Sequence, residues 1–205
     1  MSNLLDIVQH SNELMIVQRR ELAELIGFET RNKYAILANG AQIGFAAEQG
    51  KGGLAFLARM FLGHWRTFEI HFFDEARRLV LRALHPFRFF FQRLEVSSAE
   101  GRLLGSIQQR FSLFYKRFDV VDASERVLLT VSSPLWRPWT FAFDRQERTL
   151  ARVEKKWSGL LREAFSDADR FRVTFDGNGL NPDERSLVLA AAVFIDLQFF
   201  ERKAS

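Results

Sequence analysis

The run LVLAAAVFI (187–195) restricts this chain more than any other stretch, because as a helix it is apolar on every face. Such a helix must be surrounded by protein or by lipid. Its start is well marked. Asn181 suits the N-cap, Pro182 the first helical position, and Glu184 completes a capping-box pattern. Glu201-Arg202-Lys203 brings basic side chains to the other end. A bilayer span needs about 20 mostly apolar residues. Here Asp196 follows the apolar run directly, so the spacing predicts a buried helix over about 182–202, roughly 30 Å long at 1.5 Å per residue.

The rest of the chain supplies the surroundings. Arg170–Phe175 reads R-F-R-V-T-F, with Phe171, Val173 and Phe175 on one face. Thr140–Phe143 and Arg117–Val121 alternate in the same way, the pattern of half-buried strands. Turn signals separate such segments at Asn39-Gly40, Asp74–Arg77, Ala99–Gly101, Asp122–Arg126 and Asp144–Glu147. About twelve strands at this spacing indicate a sandwich or barrel. Three segments, 68–84, 118–131 and 141–153, repeat one plan: a strand, an Asp-led polar turn with Arg, and a second strand. They are expected to be three consecutive hairpins of a meander. Two further helices are predicted, Asn3–Gln9 and the apolar Gly53–Leu62. A sheet wrapped around one apolar helix is the fold this pattern implies.

Composition narrows the chemistry. There is no Cys, which excludes disulfides, thiolate metal sites and S-acylation. The four His are not spaced as a metal pair, and no nucleophile elbow, phosphate loop or catalytic triad is visible, so an enzyme is not expected. Glu163 and Asp167 lie four apart without a pocket. The net charge of +4 suits an anionic lipid or nucleic acid equally well. The opening MSNLLDIVQHSNEL lacks the basic and apolar regions of a signal peptide, so a cytoplasmic location is expected.

KKWSGLLREAFSDADRFRVTF (155–175) followed by LVLAAAVFIDLQFFER (187–202) resembles the C-terminal signature of the phospholipid scramblase family. GFETRNKYAI (27–36) with GFAAE (44–48) resembles its N-terminal signature, and the likeness runs from about Glu13 to Glu201. The resemblance implies an all-β tubby-like fold, a closed barrel of twelve strands around a hydrophobic C-terminal helix. Residues 1–12 would form a tail or short helix, and 13–202 the barrel domain. It implies binding of membrane phospholipids, anionic ones foremost, and ATP-independent movement of lipid between leaflets. The expected location is peripheral, on the inner face of the plasma membrane. The alternative is a lipid- or phosphoinositide-binding adaptor of the same fold; a nucleic-acid-binding module is a third class.

Calcium is the cofactor that the resemblance implies. The family's calcium segment aligns with 167–178, placing Asp167, Asp169, Phe171, Val173, Phe175 and Asn178 at liganding positions. Calcium takes six to eight oxygen ligands, usually with a bidentate carboxylate. Asn178 replaces the final acid, and Arg170 and Arg172 add cations, so weak or no affinity is expected. Asp196 in the helix is read as a hydrogen-bonded core acid rather than a gate. Where family members carry cysteine clusters, this chain reads GKGGLAFLARMFLGHW (50–65), HPFRFFFQR (85–93) and PLWRPW (134–139). Phe87, Arg88, Phe90, Trp136, Arg137 and Trp139 are therefore candidates for membrane contact, with rings in the headgroup zone and Arg beside phosphate. The rival reading puts Phe89 and Phe91 on a strand face entering the core.

Overall fold

The computed structural model describes residues 3–19, 32–49, 67–113, 115–156 and 169–199. A short helix, α1 (Leu4–His10), precedes twelve strands: β1 (Glu13–Gln18), β2 (Lys33–Ala38), β3 (Ala41–Glu48), β4 (Phe68–Asp74), β5 (Leu79–His85), β6 (Arg93–Ser98), β7 (Leu103–Arg110), β8 (Tyr115–Asp122), β9 (Val127–Pro134), β10 (Thr140–Arg145), β11 (Arg148–Lys156) and β12 (Arg170–Phe175). A second helix, α2 (Pro182–Phe199), ends the described chain. Each strand pairs antiparallel with its sequence neighbours, and β1 closes on β12 from Glu13↔Thr174 to Val17↔Arg170. The sheet is therefore a closed barrel without edges. The predicted helix at Gly53–Leu62 lies outside the described residues.

Strand number explains why a helix sits inside. Eight strands leave room only for their own side chains, and the lumen widens with each added strand. A helix with side chains is about 10–12 Å across, and α2 fills the wider lumen. Every residue from Glu184 to Gln198 is buried, and Leu187–Ala190 and Ala192–Phe194 are completely so. The wall meets it with the apolar alternates of each strand, such as Ile70 and Phe72 on β4 and Phe141 and Phe143 on β10. Phe194 packs against Phe68, His85 and Phe118 at centroid distances of 6.5, 5.7 and 6.2 Å. Fully burying one such side chain contributes about 1.5–3 kcal/mol.

The capping box at the start of α2 forms. Asn181 Oδ1 accepts from the Glu184 N–H, and Glu184 Oε2 accepts from the Asn181 N–H, both at 2.9 Å. The hairpins follow the repeat, with one correction. Asp74 and Asp122 each accept from the backbone N–H and the guanidinium of the residue four further on, Arg78 and Arg126. At the third copy Gln146 and Glu147 make a tighter turn with both φ positive, and Asp144 accepts from Thr149 instead. The three hairpins are not consecutive, because β6–β7 intervenes with a turn of the first type built on Gly101, without the Asp–Arg pair.

Antiparallel order sorts the connections by end. The tight turns β2–β3, β4–β5, β6–β7, β8–β9 and β10–β11 share one end with α1 and the start of α2. The connections β5–β6, β7–β8 and β9–β10 all lie at the opposite end. Arg185 closes the turn end. Its guanidinium donates to the carbonyls of Val8, Ser11 and Gly177 and lies 4.4 Å over the Phe175 ring. Burial lowers its pKa.

Candidate functional site

The two ends differ sharply in surface chemistry. The turn end is charged and internally paired: Arg78 with Asp74, Arg126 with Asp122, Arg148 with Asp176, Arg102 with Asp183, and Arg145 with Glu184. At the opposite end the described loops gather exposed apolar side chains, beside exposed Arg88, Arg110 and Arg137 and the Lys155–Asp169 pair. Of the twelve large apolar side chains exposed among the described residues, only Leu103 and Val127 lie at the turn end. The other ten are Phe87, Phe89, Phe90, Phe91, Phe111, Leu113, Tyr115, Leu135, Trp136 and Trp139, all in or beside the three loops of the opposite end. Trp136 and Phe90 are about four-fifths exposed, at 81% and 80%. Single exposed apolar residues are ordinary, but a gathered set marks an interaction surface.

These loops are held in shape. Gln92 is buried; its amide donates to the Arg88 carbonyl at 3.4 Å and its backbone N–H to Gln109 Oε1 at 3.1 Å. Its carbonyl accepts from the Gln109 N–H at 2.8 Å. Phe87 and Phe89 pack edge to face at 4.9 Å. Phe91 has φ +51°, a left-handed backbone unusual for a bulky residue, and its ring stands outside. In the β9–β10 loop the Arg137 N–H bonds to the Pro134 carbonyl and the Thr140 N–H to the Arg137 carbonyl, while Ser133 Oγ donates to the Arg137 carbonyl at 3.3 Å. Neither Arg88 nor Arg137 makes an ion pair among the described residues, and both are exposed.

All six residues proposed for membrane contact are thus at one end, with Phe87, Arg88 and Phe90 on β5–β6 and Trp136 and Arg137 on the β9–β10 loop with Trp139. Phe89 and Phe91 do not enter the core; both stand out in the same loop. Phe111, Leu113, Tyr115 and Leu135 join the patch. The β7–β8 connection QRFSLFYK carries the signal for the first three: four apolar residues crowd the short stretch between two alternating strands.

Asp196 is buried inside the barrel, and the Tyr34 hydroxyl donates to its Oδ2 at 2.8 Å. The residues aligned with the calcium segment do not converge. Asp167 lies outside the described residues. Asp169 pairs with Lys155 at 2.7 Å just before β12 begins. Phe171, Val173 and Phe175 bury their side chains, and their backbone sits in a ladder between β1 and β11. Asn178 lies past the far end of a six-residue strand, roughly 20 Å on at about 3.3 Å per residue. A calcium ion with ligands at about 2.3–2.6 Å needs its oxygens together, so these described positions do not fit one ion. Among the described residues no group of three or more His, Asp or Glu is placed to hold a metal. No described helix is long and apolar enough to cross a membrane.

A family model described as Scramblase matches residues 1–202. The chain is 28% identical to a phospholipid scramblase family protein of Schizosaccharomyces pombe, over 94% of this chain and 60% of that protein. It is 28% identical to phospholipid scramblase 1 of Mus musculus, over 97% and 64% of the two chains. With phospholipid scramblase 2 of Homo sapiens it shares 29%, over 97% and 70%. The chain therefore spans 60% and 64% of the first two relatives. No solved structure matches it significantly.

Proposed function

The chain belongs to the Scramblase family, and from that premise we propose that it is a membrane-associated phospholipid scramblase-like protein. It binds phospholipid through the aromatic end of the barrel and promotes ATP-independent exchange of lipid between leaflets. The observation that carries this reading is the gathering of ten exposed large apolar side chains in and beside three described loops at one end of the barrel. Rings at the headgroup boundary supply apolar burial. Arg88 and Arg137 beside them each add about 1 kcal/mol near an anionic surface, reduced by salt. Without cysteine the chain has no acyl anchor of the thioester kind, so these rings take over that apolar contribution.

The lumen is packed by α2 from Glu184 to Gln198, so lipid does not travel through the barrel. The barrel instead acts from one face of the bilayer, where a wedge of aromatic side chains perturbs the headgroup layer and eases headgroup crossing at its margin. No covalent bond is made or broken. The protein sits peripherally, on an anionic cytoplasmic leaflet such as that of the plasma membrane, and calcium is not required.

The test is reconstitution into vesicles carrying a fluorescent lipid in both leaflets, followed by a membrane-impermeant quencher. Scrambling takes the quenched fraction beyond the outer-leaflet half, with and without calcium. Binding without extra quenching would make the protein a lipid-binding adaptor. Salt-sensitive nucleic-acid affinity without vesicle binding would overturn the reading altogether.

A further inference from the structure

Beside the aromatic patch, the β5–β6 loop and the end of β7 enclose a groove of about 270 Å³ lined by Arg88, Phe91, Arg93, Gln108, Arg110 and Phe111 among others. Its cations are not equivalent. Arg93 is held by Glu125 at 2.6 Å and Glu95 at 3.1 Å. Hydrogen bonds from Arg93 and Gln108 lower the pKa of Glu125, so that pair stays ionised. Arg110 gives its Nε–H to Asp119 at 2.7 Å and is still exposed. Arg88 is exposed and has no ion pair among the described residues, while the Gln92 amide fixes the carbonyl of the same residue. Phe91, in its left-handed backbone, and Phe111, 71% exposed, add apolar surface to the lining.

We infer that this groove is a headgroup site that takes the phosphate of one anionic phospholipid, with its chains lying along Phe91 and Phe111. The guanidinium fork of Arg88, and the Arg110 N–H groups that Asp119 leaves over, match phosphate oxygens in geometry and charge. The Gln109 amide N–H groups supply neutral donors, and Gln108 Oε1 an acceptor, for the rest of the headgroup. Ligand pockets for drug-sized molecules run to about 300–1,000 Å³, so the groove holds a headgroup and leaves the chains outside. Rings and groove share one loop, so docking would bring the site to phosphate depth. The inference rests on the membrane reading, yet it predicts a stoichiometric site where that reading needs only a surface.

The test uses backbone and side-chain NMR shifts with dihexanoyl phosphatidylserine below its micelle concentration, dihexanoyl phosphatidylcholine, and inorganic phosphate as separate titrants. Phosphatidylserine is expected to shift Arg88, Gln109 and Arg110 with saturation. Phosphatidylcholine should bind several-fold more weakly, and inorganic phosphate should leave Phe91 and Phe111 unmoved. Arg88→Gln should weaken phosphatidylserine about tenfold, and Arg88→Lys should recover only part, because an ammonium lacks the fork. Equal binding of phosphatidylserine by wild type and Arg88→Gln, or phosphate matching the lipid in every shift, overturns the site. Sedimentation with anionic vesicles separates the two claims. Wild type that sediments while its groove stays unshifted refutes the headgroup site alone, whereas a saturable groove in a protein that sediments with no vesicle refutes the membrane reading alone.

Discussion

The hydroxyl of Tyr34 donates to Asp196 Oδ2 at 2.8 Å across the inside of the barrel, joining β2 to the central helix with both residues buried. Removing the donor leaves a buried acid with less stabilisation. Tyr34→Phe is expected to destabilise the fold by about 1–3 kcal/mol. Urea unfolding measures this, and an unchanged midpoint would show that the bond contributes nothing.

Gly105 lies where β7 approaches both β8 and the helix. A Cβ there would sit 2.1 Å from the Val121 carbonyl oxygen and 3.2 Å from a methyl of Leu187. The first neighbour is backbone and cannot swing aside. Gly105→Ala should therefore cost at least about 1–3 kcal/mol, as overpacking in a filled core does. A melting temperature within a degree of wild type would contradict the close approach.

Arg185 satisfies three carbonyls from α1, its C-terminal flank and the β12–α2 loop. Arg185→Met keeps the apolar stem and removes every donor. The expected loss is several kcal/mol, since buried acceptors lose their partners. Limited proteolysis should cut near Ser11 before the barrel opens. Uniform resistance in the variant would refute the strap.

Acid should loosen the turn end first. Burial raises the Asp74 pKa, but hydrogen bonds from the backbone and guanidinium of Arg78 outweigh it and leave the carboxyl below its usual range. The Arg102 hydrogen bond does the same for Asp183. A carboxyl whose folded value is depressed adds stability that is complete above its unfolded value of about 4. That stability disappears as pH falls through the folded value. Unfolding free energy should thus be flat from neutral down to about pH 5 and fall below about pH 4. Asp74→Asn should lessen that fall; an unaltered acid limb would contradict the assignment.

The barrel was legible because its signals are local and repeated. Alternation marks β12 and β10, Asn39-Gly40 marks a two-residue turn, and Asn181, Pro182 and Glu184 mark the start of α2. Closure follows from the all-apolar helix, which leaves no face for solvent. The patch was half legible. Phe89 and Phe91 alternate like a strand, and only the hydrogen bonds of Gln92 with Gln109 reveal that this segment bends outward as a loop. Phe111 and Leu113 are 20 to 26 residues after Phe87–Phe91 in sequence and 22 to 28 before Leu135–Trp139, so nothing local ties them to the other rings. They meet because antiparallel order sends every second connection to one end. Asp196 needed a partner from β2, 162 residues away, which no spacing rule supplies.

The central claim is that the barrel docks on a bilayer by its aromatic end, and the absence of Cys makes it directly measurable. Leu135→Cys, at the aromatic end, and Ser124→Cys, at the turn end, can each carry the only nitroxide in the molecule. Power saturation with oxygen and with a nickel chelate then gives the depth of each label on vesicles containing phosphatidylserine. The account predicts the Leu135 label within the headgroup or upper acyl zone and the Ser124 label in water, with both in water once salt and neutral lipid remove binding. A bound protein with the Ser124 label immersed, or with both labels in water, would contradict it.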